Sequence, residues 1–268
     1  MKIISTLIAL SCFLLLISCG QKQEKIGIVE KEVEYSSNGT PLKGFLAYDG
    51  DLKEPRPGII VVHEWWGLNS YARKRAKMLA KLGYTALAID MYGNGKQASH
   101  PEDAQKFAME VFSNLDVAKA RFEAGLKLLK EQPQTDSEKI AAIGYCFGGG
   151  VVLHMARFGE DLKGVVSFHG SLPTQFPAKP NTVKAQLLVC NGMDDPFTTE
   201  EQIKSFKKEM DDVGVKYTFI NYPGAVHSFT NPGADSLGKK FNLPLAYNKK
   251  ADEESWNEMQ KFFHSIFK

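Results

Sequence analysis

The stretch IAAIGYCFGGGVVLHMA, residues 140–156, places a cysteine in a glycine-rich turn between two apolar runs. The first run is typical of a buried strand and the second of a helix, so G-x-C-x-G occupies a strand-to-helix turn. Gly144 and Gly148 supply the small residues that so tight a turn needs, and the turn exposes Cys146 at the top of a sheet. The N-terminus of the following helix favours a thiolate or an oxyanion. The stretch therefore predicts a reactive cysteine at a strand end.

The segments around this turn alternate between strand and helix patterns. VEKEVEYSS alternates apolar and polar residues, and GTPLKGFLAYD follows the turn at Asn38-Gly39, so the two predict an antiparallel hairpin. Continuous apolar runs such as RPGIIVVHE and TALAIDMYG then alternate with helical segments. This order predicts an α/β fold with a mostly parallel central sheet, helices on both faces and an N-terminal antiparallel hairpin. Functional residues are then expected on loops after the carboxyl ends of strands.

One long segment breaks this alternation. Residues 228–250, SFTNPGADSLGKKFNLPLAYNKK, show no clear strand or helix pattern and predict a long irregular loop. Loops of this length are usually functional or mobile.

The composition excludes several classes of function. The 268 residues are 43% hydrophobic and 24% charged, with a net charge of +2, which is typical of a soluble globular domain. No basic run is dense enough to indicate nucleic-acid binding. His63 and Glu64 resemble the start of a zinc H-E-x-x-H motif, but the fifth residue is Gly67, and no glycine pattern for a nucleotide cofactor is present. We therefore expect no metal, no cofactor and no nucleic-acid partner.

The N-terminus has the layout of a secretion signal. Lys2 precedes a mainly apolar run over residues 3–17, which is shorter than the roughly 20 residues of a membrane-spanning helix. The sequence Leu16-Ile17-Ser18-Cys19 resembles the lipobox of bacterial lipoproteins, in which the cysteine is lipidated and becomes the new N-terminus. A plain cleaved signal and an uncleaved anchor are the alternatives.

This layout divides the chain into three parts. We predict a signal peptide over residues 1–18, a lipidated tether over residues 19–29 and a single α/β domain over residues 30–268. The lipid on Cys19 would anchor the domain to a membrane surface. The predicted location is that of an exported bacterial lipoprotein on the periplasmic or cell-surface side, and we expect a monomer.

Residues that could activate Cys146 follow later strands in the order acid, then histidine. NGMDDPF offers Asp194 and Asp195, and GAVHSF offers His227 as a general base.

The loop VVHEWWGLN follows an early buried strand, where a second oxyanion donor is expected. The backbone N–H groups of Trp65 and Phe147 would then bind the oxyanion.

Five motifs together resemble the dienelactone hydrolase family of α/β-hydrolases: GYCFGG, HEWWGLN, AIDMYG, GMDDPF and PGAVHSF. The resemblance implies a triad of Cys146, Asp195 and His227, with Glu64 contacting the resting thiol. It implies attack on an ester or lactone of a small molecule, through a thioester intermediate. The family binds a substrate carboxylate with arginines, but Asn94 and Asn231 stand near those places here.

Other interpretations remain open at this point. Asp194 could replace Asp195, and Cys146 could simply pack in the core. Glu64 could cap a turn or pair with a lysine. The chain could be a broad carboxylesterase or thioesterase, or a non-catalytic binding lipoprotein that retains the fold. A thiol-redox role lacks a nearby resolving cysteine, since Cys190 is expected to be a buried packing residue.

Overall fold

The computed structural model of the protein describes residues 27–268. The predicted signal peptide, the lipid attachment at Cys19 and the tether up to residue 26 lie outside the described residues. Within residues 27–268, no helix combines the length and the apolar character that crossing a membrane requires.

An antiparallel hairpin forms one edge of the sheet, as the alternating pattern predicted. Strands β1 (Ile28–Ser37) and β2 (Thr40–Asp49) pair along their whole lengths, from Ile28 opposite Asp49 to Ser37 opposite Thr40. The turn residues Asn38 and Gly39 both have positive φ, 48° and 77°, which suits a tight two-residue hairpin turn. The hairpin joins the rest of the sheet through an antiparallel pairing with the fourth strand.

The remaining strands form the parallel part of an eight-stranded sheet with the order β1-β2-β4-β3-β5-β6-β7-β8. Their central parts are mainly apolar and buried because helices cover both faces. Their bounds are β3 Arg56–Val62, β4 Thr85–Ile89, β5 Thr135–Tyr145, β6 Gly164–Phe168, β7 Gln186–Gly192 and β8 Tyr217–Tyr222. The predicted mostly parallel sheet with an N-terminal hairpin is confirmed.

Helices cover the two faces of this sheet. Their bounds are α1 Ser70–Lys81, α2 Pro101–Phe112, α3 Leu115–Lys130, α4 Phe147–Arg157, α5 Glu200–Asp212, α6 Ala234–Phe241 and α7 Lys249–Ile266. One core cluster joins the sheet to α2, α3, α4 and α5, and a second joins it to α1 and α7. The β-strands therefore lie between two apolar layers, with their carboxyl ends free to carry a site.

The expectation of an irregular loop over residues 228–250 was wrong in part. The segment contains α6, and the first residues of α7 lie within it. Gly238 concealed α6, because glycine disfavours helix interiors. Its position in α6 is explained by packing, since a Cβ there would lie 2.5 Å from the carbonyl oxygen of Leu245.

Candidate active site

Cys146 occupies a strained backbone conformation at the top of the sheet. It lies between β5 and α4 with φ 53° and ψ −115°, a region that residues with side chains rarely adopt. Its N–H donates to the carbonyl oxygen of Phe168 at 3.0 Å and to Nδ1 of His169 at 3.1 Å. A Cβ on Gly144 would lie 2.0 Å from the carbonyl oxygen of Gly148. The glycines on both sides are therefore required by the turn.

Cys146 and His227 line the same cavity. Nδ1 of His227 lies 2.8 Å from Oδ2 of Asp195. Burial alone would lower the pKa of His227, but the negative charge of Cys146 and the Asp195 carboxylate raise it to about 10. The arrangement thus favours the protonated form of His227.

The structure distinguishes the two adjacent aspartates. Asp195 is buried, and its second oxygen, Oδ1, accepts the N–H of Phe197 at 2.8 Å. Asp194 is exposed, and only its backbone N–H reaches this region, where it donates to the carbonyl oxygen of Ala225 at 3.0 Å. Of the two candidates, only Asp195 contacts His227 through its side chain.

Glu64 lies beside the site with different partners from those expected. Its Oε1 accepts a hydrogen bond from Ser228 at 2.9 Å, and its Oε2 accepts one from Nδ2 of Asn231 at 2.6 Å. Burial raises the pKa of Glu64, and these two hydrogen bonds oppose that shift. Among the described hydrogen bonds, none joins Glu64 to Cys146, and both Glu64 oxygens have other partners. Glu64 instead holds the segment that follows His227.

Two backbone N–H groups beside Cys146 have no acceptor within the described residues. They belong to Trp65, in the loop after β3, and to Phe147, the first residue of α4. The ring of Phe147 is buried and stacks on His63 at 5.6 Å between ring centroids. Nδ1 of His63 in turn bonds the carbonyl oxygen of Glu64 at 2.5 Å. Through His63, the ring of Phe147 is linked to the peptide group that joins Glu64 to Trp65.

A buried polar chain beneath Cys146 was missed by sequence reasoning. His169 accepts the Cys146 N–H at Nδ1, so its Nε2 carries the proton and donates to Oγ1 of Thr230 at 2.7 Å. Thr230 also bonds the hydroxyl of Tyr71 at 2.6 Å, and Arg75 donates to that hydroxyl at 3.2 Å. Burial lowers the pKa of His169 well below its usual range, which keeps it an acceptor for Cys146. The only signal in the sequence was its position at a strand end.

A cavity of about 350 Å³ opens over Cys146 and His227. This volume lies within the range of small-molecule sites. Trp65, Phe197 and two leucines of the segment after α6 contribute to its walls. Cys190 does not reach it, since Cys190 is fully buried in β7 and burial raises its pKa to about 12. Among residues 27–268, no cluster of His, Cys, Asp or Glu side chains is arranged to hold a metal ion.

Comparison with known proteins agrees with this geometry. The model of the dienelactone hydrolase family matches residues 42–267. The chain is 29% identical to "Protein usf" of Aquifex pyrophilus, covering 86% of this chain and 96% of the relative. It is 27% identical to the "Putative carboxymethylenebutenolidase" of Aquifex aeolicus, covering 88% and 98% respectively.

Solved structures show the same relationship. The dienelactone hydrolase-like promiscuous phosphotriesterase P91, from metagenomic libraries, superposes with a TM-score of 0.85 and 34% identity, covering 90% of this chain and 99% of that one. This superposition confirms the predicted α/β-hydrolase fold. The sheet has the strand order given above, a cysteine lies on the turn after β5, and the relatives share nearly the whole domain. The chain therefore belongs to the dienelactone hydrolase family and is a hydrolase of carboxylic ester or lactone bonds.

Proposed function

We propose that this hydrolase works through a triad of Cys146, His227 and Asp195. The observation that carries the proposal is that Cys146 and His227 line one cavity, where Nδ1 of His227 lies 2.8 Å from a buried Asp195 carboxylate. A nucleophile, a base and a group that orients the base within hydrogen-bond reach are what acyl transfer requires. The arrangement in the chain, nucleophile before acid before histidine, is that of α/β-hydrolases.

In the first half of the proposed reaction, the Cys146 thiolate attacks the carbonyl carbon of the ester. The carbonyl oxygen becomes an oxyanion, which accepts hydrogen bonds from the N–H groups of Trp65 and Phe147; such a donor contributes about 3 kcal/mol in a transition state. When the intermediate collapses, the C–O bond breaks and the leaving alkoxide takes the proton of His227. The products of this half are an alcohol and a thioester on Cys146.

In the second half, neutral His227 removes a proton from water as the water oxygen attacks the thioester carbonyl. The second tetrahedral intermediate expels the Cys146 thiolate and releases the carboxylic acid. Thiolate and imidazolium are then restored, so the cycle consumes only ester and water. Asp195 keeps the Nδ1–H of His227 engaged and so directs Nε2 toward the reacting atoms.

Two pairs of proteins test the triad. The full chain in detergent and its Cys146→Ala variant are compared on a p-nitrophenyl ester and a neutral lactone, and turnover should be lost in the variant. Asp195→Asn should lower kcat by about a thousand-fold or more, since it no longer orients a protonated His227. The exposed Asp194→Asn is the matched control and should retain activity. Equal losses in both aspartate variants, or full activity without Cys146, would contradict the triad.

We further propose that the domain is attached to a membrane through a lipid on Cys19. The support is the lipobox-like sequence Leu16-Ile17-Ser18-Cys19 after an apolar run. Metabolic labelling with a radioactive fatty acid tests it, since Cys19→Ala should abolish the label. Labelling that persists in Cys19→Ala would exclude this attachment site.

A further inference from the structure

The walls of the cavity over the proposed nucleophile are mainly apolar. Apart from Cys146 and His227 it is lined by Trp65, Gln105, Phe197, Leu243 and Leu245. Four of these five side chains are apolar, and Gln105 is polar but uncharged. No lysine or arginine side chain of residues 27–268 lines the cavity. The walls therefore offer apolar contact and no counter-charge.

Three cationic side chains, those of Arg75, Arg121 and Lys96, have partners of their own. Arg75 is buried below the site, where it donates to the carbonyl oxygen of Thr230 and to the carboxylate of Asp252, both at 2.5 Å. Arg121 donates to the carbonyl oxygen of Met91 at 2.7 Å. The Nζ of Lys96 lies 5.5 Å from the ring centroid of Phe107. None of these groups contributes a donor to the cavity.

The two asparagines that stand near the expected arginine positions do not supply a donor either. The Nδ2 of Asn231 donates to Glu64 at 2.6 Å, and its Oδ1 accepts the N–H of Gly233 at 2.8 Å. Asn94 lies in an exposed turn after β4 with φ 57°, where its N–H donates to the carbonyl oxygen of Pro41. Both residues serve the local structure of their loops.

The apolar walls extend to the mouth of the cavity. Phe197 is 54% exposed, and its ring meets that of His227 edge to face at 5.0 Å between centroids. Leu245 is held close to His227, because the N–H of the next residue, Ala246, donates to the carbonyl oxygen of His227 at 3.3 Å. An exposed aromatic ring beside a reactive group is a surface that an apolar ligand can cover.

We infer that the substrate is an uncharged ester or lactone whose acyl part is apolar. Esters that carry a carboxylate in addition to the ester group are rejected. This inference rests on the proposed function, because it assigns the cavity to the acyl group bound to Cys146. A carboxylate entering these walls would lose water without gaining a hydrogen-bonded cation, which disfavours its binding. An alkyl chain would lose only its contact with water, which favours binding.

A matched pair of esters tests the substrate class. The full chain in detergent is assayed with p-nitrophenyl hexanoate and with the p-nitrophenyl monoester of adipic acid, which replaces the terminal methyl by a carboxylate. Each kcat/KM is divided by the uncatalysed rate of the same ester. We expect the hexanoate ester to be favoured by about a hundred-fold. An equal or higher value for the adipate ester would overturn the inference and leave the triad standing.

Failure of the proposed function gives a different result. In that case neither ester would be hydrolysed faster by the full chain than by Cys146→Ala. A preference for hexanoate that disappears in Cys146→Ala supports both the triad and the apolar substrate. The two ideas are therefore judged on separate comparisons within one experiment.

A change in one wall provides the second measurement. Leu243 is partly exposed and precedes Leu245 in the segment after α6, so a lysine there can place its ammonium at the cavity while its stem packs as leucine does. Leu243→Lys should shift the preference toward the adipate ester by about ten-fold. Leu243→Met is the matched control and should keep the preference of the original chain. An unchanged preference in Leu243→Lys would contradict the role of this wall in excluding charge.

Discussion

At the residue scale, the strained backbone of Cys146 is held by its surroundings. A side-chain-bearing residue at positive φ costs about 1–3 kcal/mol, and such strain persists only where neighbours over-determine it. Here the Cys146 N–H is fixed by Phe168 and His169, whose distances of 3.0 and 3.1 Å hold the turn against β6. The turn places Cys146 at the end of β5, where it lines the same cavity as His227.

The protonation of His227 gives a direct check on the proposed ion pair. Burial opposes the charge, yet the negative charge of Cys146 and the Asp195 carboxylate raise the pKa of His227 to about 10. A titration followed by NMR of the imidazole carbons should therefore show a midpoint near pH 10 in the full chain. Cys146→Ala should lower the midpoint clearly, because it removes an anionic partner.

This shift also has a consequence for stability. The pKa of His227 in the folded state lies above its ordinary value of 6.5, so the stabilisation from its proton is complete below pH 6.5. That contribution is lost as the pH rises through about 10.

Two results of the NMR titration would show that no thiolate–imidazolium pair exists. One is a titration midpoint of His227 near pH 6.5 in the original chain, and the other is the same midpoint in Cys146→Ala as in the original chain.

At the scale of elements, the close approach of α4 to β3 depends on a single glycine. A Cβ on Gly148 would lie 2.3 Å from the carbonyl oxygen of Val62, whereas the nearest atoms to a Cβ on Gly150 would be the ring of Phe112 at 3.3 Å and Ser171 at 3.4 Å. Gly148→Ala should lower the free energy of unfolding by about 1–3 kcal/mol, because backbone must move to admit the methyl group. Urea unfolding of the two alanine variants measures this difference.

Gly150→Ala is the matched control on the same helix. Alanine gains about 1 kcal/mol of helix propensity over glycine, which offsets the tight contact with Phe112. We expect its unfolding free energy to stay within about 1 kcal/mol of the original chain. If the two variants lost equal unfolding free energy, the loss would come from the packing of α4 in general. The close approach of α4 to β3 at Gly148 would then not be its cause.

The elements that could be predicted from sequence are those whose pattern is local. Buried parallel strands are continuous apolar runs, and the turn around Cys146 carries its own glycines, so the sheet and the turn were found. The short helix α6 was missed because Gly238 weakens its local signal. The contacts of Glu64 with Ser228 and Asn231, and of His169 with Thr230, join segments far apart in sequence. Such contacts depend on packing that no short pattern encodes.

At the scale of the whole molecule, the sheet separates the start of the domain from the site. β1 begins at Ile28, which pairs with Asp49 at the end of β2. β2 runs antiparallel to β4, so its end lies level with the start of the parallel strands, with Ala47 opposite Ala86. Cys146 follows the end of β5, at the carboxyl end of the parallel strands. A tether that enters at Ile28 therefore joins the domain at the end of the sheet opposite Cys146.

This separation predicts that anchoring leaves hydrolysis unchanged. The full chain on phospholipid vesicles and a chain that starts at residue 27 should hydrolyse p-nitrophenyl hexanoate with kcat/KM values within about two-fold, because distant sites act independently. Circular dichroism of the shorter chain checks that it is folded, and Cys146→Ala in both forms supplies the background rate. A folded shorter chain that lost most of its activity would show that residues 1–26 act on the site. A vesicle-bound chain that gained activity only when released would show that the cavity faces the membrane.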